Sequence, residues 1–278
     1  MAAAESLHRR TREGLAALGV RPRRRLGQSF LVDPRVVARI VAEANVAGRT
    51  VVEIGPGLGA LSEALAEGAA RLDLVEIETR LAERLREQFR GRPQVRVLAA
   101  DALRVDYEAL VGAGPRALVV ANLPYSVGSQ ILLRLIEARA GFERLVVMLQ
   151  REVAERLVAR PGSKAYGTIT LWTALYGRAE LLFRVSPAAF VPRPKIESAV
   201  VSIALDVEPR VALADEQHFR TVVRAAFAQR RKMLRAALAR LATPGEIEAA
   251  GIDPRRRGET LSIEEFARLS NELRRARH

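Results

Sequence analysis

The sequence predicts a doubly wound, mostly parallel α/β sheet followed by a small all-helical domain. Three observations predict it. Short β-branched runs alternate with apolar segments of helical period over the first part of the chain. The connections between them are short, as a parallel sheet with crossover helices requires. Beyond a composition shift at 206–214, which holds Pro209, the apolar residues keep only helical spacing. A chain of 278 residues is long enough for one large and one small domain.

Asp33-Pro34 opens the first helix of the sheet region, Asp33 as a cap and Pro34 at the first helical position. Val36, Val37, Ile40, Val41 and Ala44 then share one face. Residues 50–54 form a strand that ends in glycines, and a helical pattern follows through Leu61, Leu65 and Ala66. Strands at 72–76, 95–99, 117–120 and 145–149 continue the alternation, with helices at 81–89 and 131–138. The acids and amides of interest fall just after strand ends, where open α/β sheets bind ligands. Helices are expected at 217–241, 245–250 and 262–275. In the first of these, Phe219, Val222, Val223, Ala226 and Phe227 make a stripe continued by Leu234, Leu238 and Leu241, with six cations from Arg220 to Arg235 largely off it. The boundaries expected are a basic tail at 1–25, a sheet domain at 26–206 and a helical domain at 207–278.

The net charge is +13, and lysine occurs only at Lys164, Lys195 and Lys232, so arginine carries nearly all of the positive charge. A surplus of this size points to polyanionic partners, nucleic acid first. A GC-rich genome that encodes arginine by default is the alternative source. No apolar run approaches the roughly 20 residues of a membrane span. The absence of cysteine excludes disulfides, thiolate-held zinc and iron–sulfur clusters. His8, His218 and His278 are dispersed, so no metal is expected. The first 25 residues, with Arg9-Arg10 and Arg23-Arg24-Arg25, are acid-poor but lack the apolar core of a secretory signal. They read as a mobile or RNA-touching tail of a cytoplasmic protein.

Glu53-Ile54-Gly55-Pro56-Gly57-Leu58-Gly59 carries the first chemistry. Glycines after a strand let the backbone approach a ligand and free the next helix's amides for an anion. With Ala60 and with Glu76 downstream, the segment also satisfies a dinucleotide fingerprint, so a nicotinamide enzyme competes here, as does a purely structural turn. Glu76 can accept both ribose hydroxyls, and Asp101, followed by Ala102, can accept from an adenine amino group. Together they outline a pocket for an adenosine without a pyrophosphate, which favours S-adenosyl-L-methionine as methyl donor.

Asn122-Leu123-Pro124-Tyr125 supplies the acceptor side. An exocyclic adenine amine is a poor nucleophile because its lone pair is delocalised into the ring. The Asn122 side-chain oxygen and the Leu123 carbonyl can accept its protons and draw the nitrogen towards a tetrahedral geometry. Pro124 restricts Leu123 to extended conformations and so helps to aim that carbonyl. Tyr125 offers a stacking face, worth roughly 1–3 kcal/mol per base.

At this point the chain resembles the KsgA (RsmA) family of ribosomal RNA adenine dimethyltransferases, from about Arg25 to Leu269. The resembling segments include Leu26-Gly27-Gln28-Ser29-Phe30-Leu31, Glu53 to Gly59, Glu76, Asp101-Ala102, Asn122 to Tyr125 and Gln150-Arg151-Glu152-Val153. Pro161 to Gly167, Phe190 to Ser198 and Phe227 to Lys232 add to them. The resemblance implies a Rossmann-like S-adenosylmethionine-dependent methyltransferase sheet and dimethylation at N6 of two adjacent adenines in the 3′-terminal hairpin of 16S rRNA. The partner implied is the small ribosomal subunit or its rRNA, and the protein a monomer. Carried over by residue, Gln28, Ser29, Leu31, Gly55 and Gly57 would line the cofactor pocket. Glu76 would hold the ribose, Asp101 and Ala102 the adenine, and Asn122 would face both methyl donor and target amine. Tyr125 would stack on the target base with Phe190 on its other face, and Arg230, Arg231 and Lys232 would meet RNA phosphates. The family has Asn or His where this chain has Ser29, and Asn where it has Ser126. The alternatives are a large-subunit rRNA adenine methyltransferase of the resistance type and a mainly non-catalytic assembly or RNA-binding factor on the same fold.

Overall fold

The computed structural model describes residues 2–19 and 28–276. Part of the expected basic tail, Met1 and 20–25, therefore lies outside the described residues, as do Leu26 and Gly27 of the first resembling segment. The described part of the tail is a helix, α1 (Ala2–Ala17). Its Thr11 and Leu15 are buried, so tertiary packing holds it.

From there the chain runs β1 (Phe30–Leu31), α2 (Pro34–Ala44), β2 (Thr50–Ile54), α3 (Ala60–Ala66), β3 (Arg71–Glu76), α4 (Thr79–Gln88), β4 (Val95–Ala99), α5 (Tyr107–Val111), β5 (Ala117–Asn122), α6 (Gly128–Glu137) and β6 (Phe142–Gln150). It continues through α7 (Arg151–Leu157), α8 (Thr168–Tyr176), β7 (Gly177–Val185), β8 (Phe190–Val191) and β9 (Ser198–Leu205). The last helices are α9 (Glu216–Ala228), α10 (Leu234–Ala237), α11 (Pro244–Ala249) and α12 (Ile263–Arg275). Helix α2 starts as its sequence dictates: Asp33 accepts from the Arg35 amide at 2.9 Å, and Pro34 occupies the first turn.

Seven strands form one sheet in the order β4-β3-β2-β5-β6-β9-β7. The pairs from β4 to β6 are parallel, and β9 joins β6 antiparallel, with Gln150 opposite Ser198. Strands β1 and β8 pair separately, Leu31 opposite Phe190. Val51, Val120, Val146 and Met148 of the sheet and Ile40 and Leu65 of the helices belong to one buried apolar cluster. Each such side chain contributes about 1.5–3 kcal/mol by burial.

Arginines secure the amino ends of these strands. Arg116, just before β5, donates to the Arg139 and Leu205 carbonyls at 3.0 and 2.9 Å and also to that of Phe142. Arg144 in β6 donates to the last carbonyls of α2, Glu43 and Ala44, at 2.5 and 2.6 Å. Asp73, fully buried, is held between Arg71 and Arg96 at 2.8 and 2.5 Å. Much of the arginine surplus thus has partners inside the protein.

The chain divides into two compact units. One comprises the residues up to Ala154 with Glu180–Leu205, the other Glu155–Ala179 with the chain from Asp206 onward. Residues 155–179, expected in the first domain, therefore group with the helical unit. The reason is α8, whose Trp172 packs on Phe219 of α9 with ring centroids 5.9 Å apart and lies under the Arg220 guanidinium at 4.8 Å. The long helix expected over 217–241 is also broken. Helix α9 stops at Ala228, and the Leu234 and Arg235 amides donate to the carbonyls of Arg256 and Pro254 at 2.7 and 3.0 Å. Backbone groups satisfied by another segment do not need the helix to continue.

Candidate active site

The site lies at the carboxyl ends of β2, β3 and β5, around a cavity of about 250 Å³. After β2, the Gly55 amide donates to the Val75 carbonyl at 2.9 Å, which binds the loop to β3. Gly57 has φ +60°, and a Cβ there would come within 2.9 Å of the Phe30 ring. Only glycine relieves both constraints. The Gly57 amide then donates to Glu76 Oε2 at 3.0 Å, while the Glu78 amide donates to Oε1 at 2.9 Å. Burial raises the Glu76 pKa, and backbone amides of Glu78, Gly57 and Ile77 oppose the rise. Each carboxylate oxygen keeps a further lone pair for a ligand hydroxyl. Asp101 turns one oxygen to the Leu103 amide at 2.9 Å and lines the same cavity.

Asn122 ends β5. Its Nδ2 donates to the Ser29 carbonyl at 3.1 Å. Only the amide nitrogen can donate to a carbonyl, so this bond sets the side-chain orientation and leaves Oδ1 as the free acceptor. The partner is a backbone group that any residue carries, which makes Ser29 sufficient at a position where the family has Asn or His. Leu123 is anchored by its amide to the Met148 carbonyl at 3.1 Å. The Tyr125 hydroxyl lies 2.7 Å from Ser198 Oγ, and Ser198 is fully buried, so the ring is pinned at its far end. Burial pushes the Tyr125 phenol up, against the Ser198 hydrogen bond, which keeps it neutral near pH 7.

Of the residues expected at the site, Gln28, Ser29, Leu31, Gly55, Gly57, Glu76, Asp101, Asn122, Leu123, Pro124 and Tyr125 all line this cavity. Ala102 and Phe190 do not. The Ala102 carbonyl accepts from the buried Tyr107 hydroxyl at 2.7 Å. Phe190 is 3% exposed in the apolar cluster, opposite Leu31, so stacking on a base would require its ring to leave that cluster. Arg230, Arg231 and Lys232 belong to the helical unit. Arg230 binds Glu259 at 2.6 Å and the Ser163 and Lys164 carbonyls at 3.2 and 2.6 Å, whereas Arg231 and Lys232 are exposed.

Twelve lining residues lie outside the expected set, among them Thr11, Glu53 and Ile77. Glu53 is 2% exposed and its Oε2 has no hydrogen-bond partner. Burial pushes its carboxyl up to about 8, with the Ser62 hydroxyl pulling the other way and Glu76 adding to the rise. Ile77 is 63% exposed directly after Glu76, and that adjacency is a signal the sequence does carry. Thr11 comes from α1 and has no local signal.

The cavity therefore presents carboxylate oxygens at the ends of two strands and an amide acceptor beside a tyrosine. Buried groups such as Glu53 Oε2 remain unsatisfied. These features fit S-adenosylmethionine. Among the described residues no group of acids and histidines could hold a metal ion, and no helix is long and apolar enough to cross a membrane.

Comparison with known proteins identifies the family. Residues 19–275 match the family model described as ribosomal RNA adenine dimethylase. The chain is 46% identical to the ribosomal RNA small subunit methyltransferase A of Magnetococcus marinus, covering 91% of this chain and 92% of that protein. It is 41% identical to the protein of the same name from Geobacillus thermodenitrificans, over 95% of each. Among solved structures, the 23S rRNA methyltransferase ErmE aligns with a TM-score of 0.68 at 29% identity, covering 88% of this chain and 99% of that one. A dimethyladenosine transferase from Plasmodium falciparum shares the fold, with a TM-score of 0.70 at 23% identity over 86% and 95% of the two chains. The chain belongs to the ribosomal RNA adenine dimethylase family of S-adenosylmethionine-dependent methyltransferases.

Proposed function

We propose that this protein methylates N6 of two adjacent adenines in the 3′-terminal hairpin of small-subunit 16S rRNA, giving dimethyladenines during assembly of the subunit. It does so as a cytoplasmic monomer. The relatives named small subunit methyltransferase A support the choice of subunit. The observation that carries the chemistry is the Asn122 side chain, which lines the cavity with Tyr125 and has its Nδ2 engaged by the Ser29 carbonyl, leaving Oδ1 as the acceptor.

Glu76 would hold the ribose and Asp101 the adenine of S-adenosylmethionine. When bound, that cofactor supplies an electrophilic methyl group on a cationic sulfur. Asn122 Oδ1 and the Leu123 carbonyl would accept hydrogen bonds from the target amine's N–H groups, which restores lone-pair density to its nitrogen and aims it. Each transfer would leave S-adenosylhomocysteine and release one amine proton to water. The pinned Tyr125 ring receives the base, which must leave its own stack to reach the site. Alignment does most of the catalytic work, because the methyl donor brings its own leaving group. Arg231 and Lys232 would contact phosphates and so position the particle without reading sequence.

The test offers the enzyme labelled cofactor with unmodified small subunits, large subunits or naked RNA. Dimethyladenine confined to small-subunit RNA is expected. Label in large-subunit RNA would favour the activity named for ErmE, and no label anywhere would favour an assembly or binding role.

A further inference from the structure

Helix α1 is tied to the elements that surround the glycine loop. Arg10 pairs with Glu63 in the first turn of α3 at 3.1 Å, and Gln88 of α4 donates to the same oxygen at 2.8 Å. Arg80 of α4 donates to the Leu18 carbonyl at 3.3 Å. A Cβ at Gly14 would lie 3.5 Å from Leu58, the side chain carried by the loop itself. Thr11 stands one helical turn before Leu15, which is also buried, on the inward face of this helix. It is 4% exposed, yet it lines the cavity with Leu58, Glu76, Ile77 and Asp101. Its hydroxyl makes no hydrogen bond to another described residue.

We propose that α1 is a wall of the cofactor site and that the Thr11 hydroxyl is a cofactor-binding group. A buried hydroxyl facing a cavity gains a partner when a polar ligand fills that cavity. The surrounding acceptors, Glu76 and Asp101, are those assigned to the nucleoside of S-adenosylmethionine, so the inference rests on the cofactor reading. It gives the N-terminal segment a role in cofactor retention, where the basic composition suggested contact with RNA.

The test measures binding of S-adenosylhomocysteine to the full-length protein by calorimetry, without RNA. Thr11→Val keeps shape and removes the hydroxyl; Thr11→Ser keeps the hydroxyl. All three residues have similar helix propensity, so α1 itself is preserved. Loss of one hydrogen bond should raise the Kd of Thr11→Val by about 2- to 12-fold, with Thr11→Ser close to wild type. Small-subunit affinity measured without cofactor should not change. Equal Kd values for wild type and Thr11→Val overturn the proposal, as does weakening of both variants alike. A Thr11→Val protein that loses small-subunit affinity but keeps its Kd overturns it in favour of an RNA contact. If wild type itself fails to bind S-adenosylhomocysteine, the cofactor reading falls first.

Discussion

The two ends of the central sheet are built from opposite chemistry. At the amino ends, Arg71, Arg96, Arg116 and Arg144 donate to carbonyls or to the buried Asp73. At the carboxyl ends, Glu76, Asp101 and Asn122 line a cavity and present acceptors, and the buried Glu53 carboxyl lines it with them. Glu53 Oε2 lacks any donor, and Asn122 Oδ1 is left over once Nδ2 has bonded to Ser29. At one end the guanidinium groups bind the protein's own oxygens, although Arg116 Nε and Arg144 Nε have no partner among the described residues; at the other, acceptors are left for a ligand. A burial map alone would not separate them, since Asp73 and Glu76 are both nearly inaccessible to solvent. The orphaned acceptors do.

Breaking the acceptor end should cost most, and should show in turnover, not in stability. Asn122→Ala is expected to lower methyl transfer about 10²- to 10³-fold, the usual effect of deleting one aligned polar group. Binding of S-adenosylhomocysteine and the unfolding midpoint should stay near wild type. Normal single-turnover rates in that variant would remove Asn122 from the mechanism.

Breaking the donor end should do the reverse. Arg116→Ala leaves three carbonyls without their shared donor. Buried carbonyls stranded in this way cost about 3 kcal/mol together, which lowers Tm by roughly 6–12 °C in a protein of this size. Methyl transfer by the folded fraction should be unchanged. A loss below about 1 kcal/mol in urea unfolding would mean that water replaces the guanidinium.

A smaller effect, graded with pH, sharpens the contrast at the acceptor end. Glu53 is an acid whose folded-state pKa is raised, from an ordinary 4.5 to about 8. Between those values the unfolded chain has lost the proton and the folded protein keeps it. Stability from this group is therefore full below about pH 4.5 and declines as pH rises to about 8. The slope is at most about 1.4 kcal/mol per pH unit. Glu53→Gln removes the decline, so its stability relative to wild type should grow from pH 5 to pH 8 in urea titrations. Glu76, shifted in the same direction, is present in both proteins, and its repulsion of Glu53 is part of the slope that the comparison reads. A constant difference across that range would show that Glu53 ionises freely in the folded state.

Much of this was legible in the residues alone. The strands at the carboxyl ends of which the ligand groups sit, the Asp33 cap and the glycine loop are all local patterns. The helical unit was legible in kind but not in extent. Trp172 carries no sign in its own neighbourhood that it packs on Phe219, so residues 155–179 read as part of the sheet domain. The break after Ala228 was hidden for the same reason: Leu234 suits a buried helical stripe, while its amide is claimed by Arg256. Phe190 shows the limit from the other side. An aromatic among prolines resembles a stacking platform, but its ring belongs to the apolar cluster.

The arginine surplus is the plainest case of a composition with two meanings. Counted along the chain, it points to a polyanion. Placed in the fold, Arg116, Arg144 and Arg230 bind carbonyls and acids of the protein itself, while Arg231 and Lys232 remain exposed.

By itself the sequence determined the alternation of strands and helices from α2 to β6, the glycine loop, the acids at the ends of β3 and β4 and the Asn122 to Tyr125 turn. Periodicity, backbone freedom and residue chemistry act over a few neighbours, and so they can be read in a single string. Tertiary structure alone decided which Asn122 atom is already engaged, through a carbonyl 93 residues away. It also decided that Glu53 is starved of donors and that Thr11 reaches the site from a separate helix. Hydrogen-bond partnership and desolvation depend on groups that meet only when distant parts of the chain pack together.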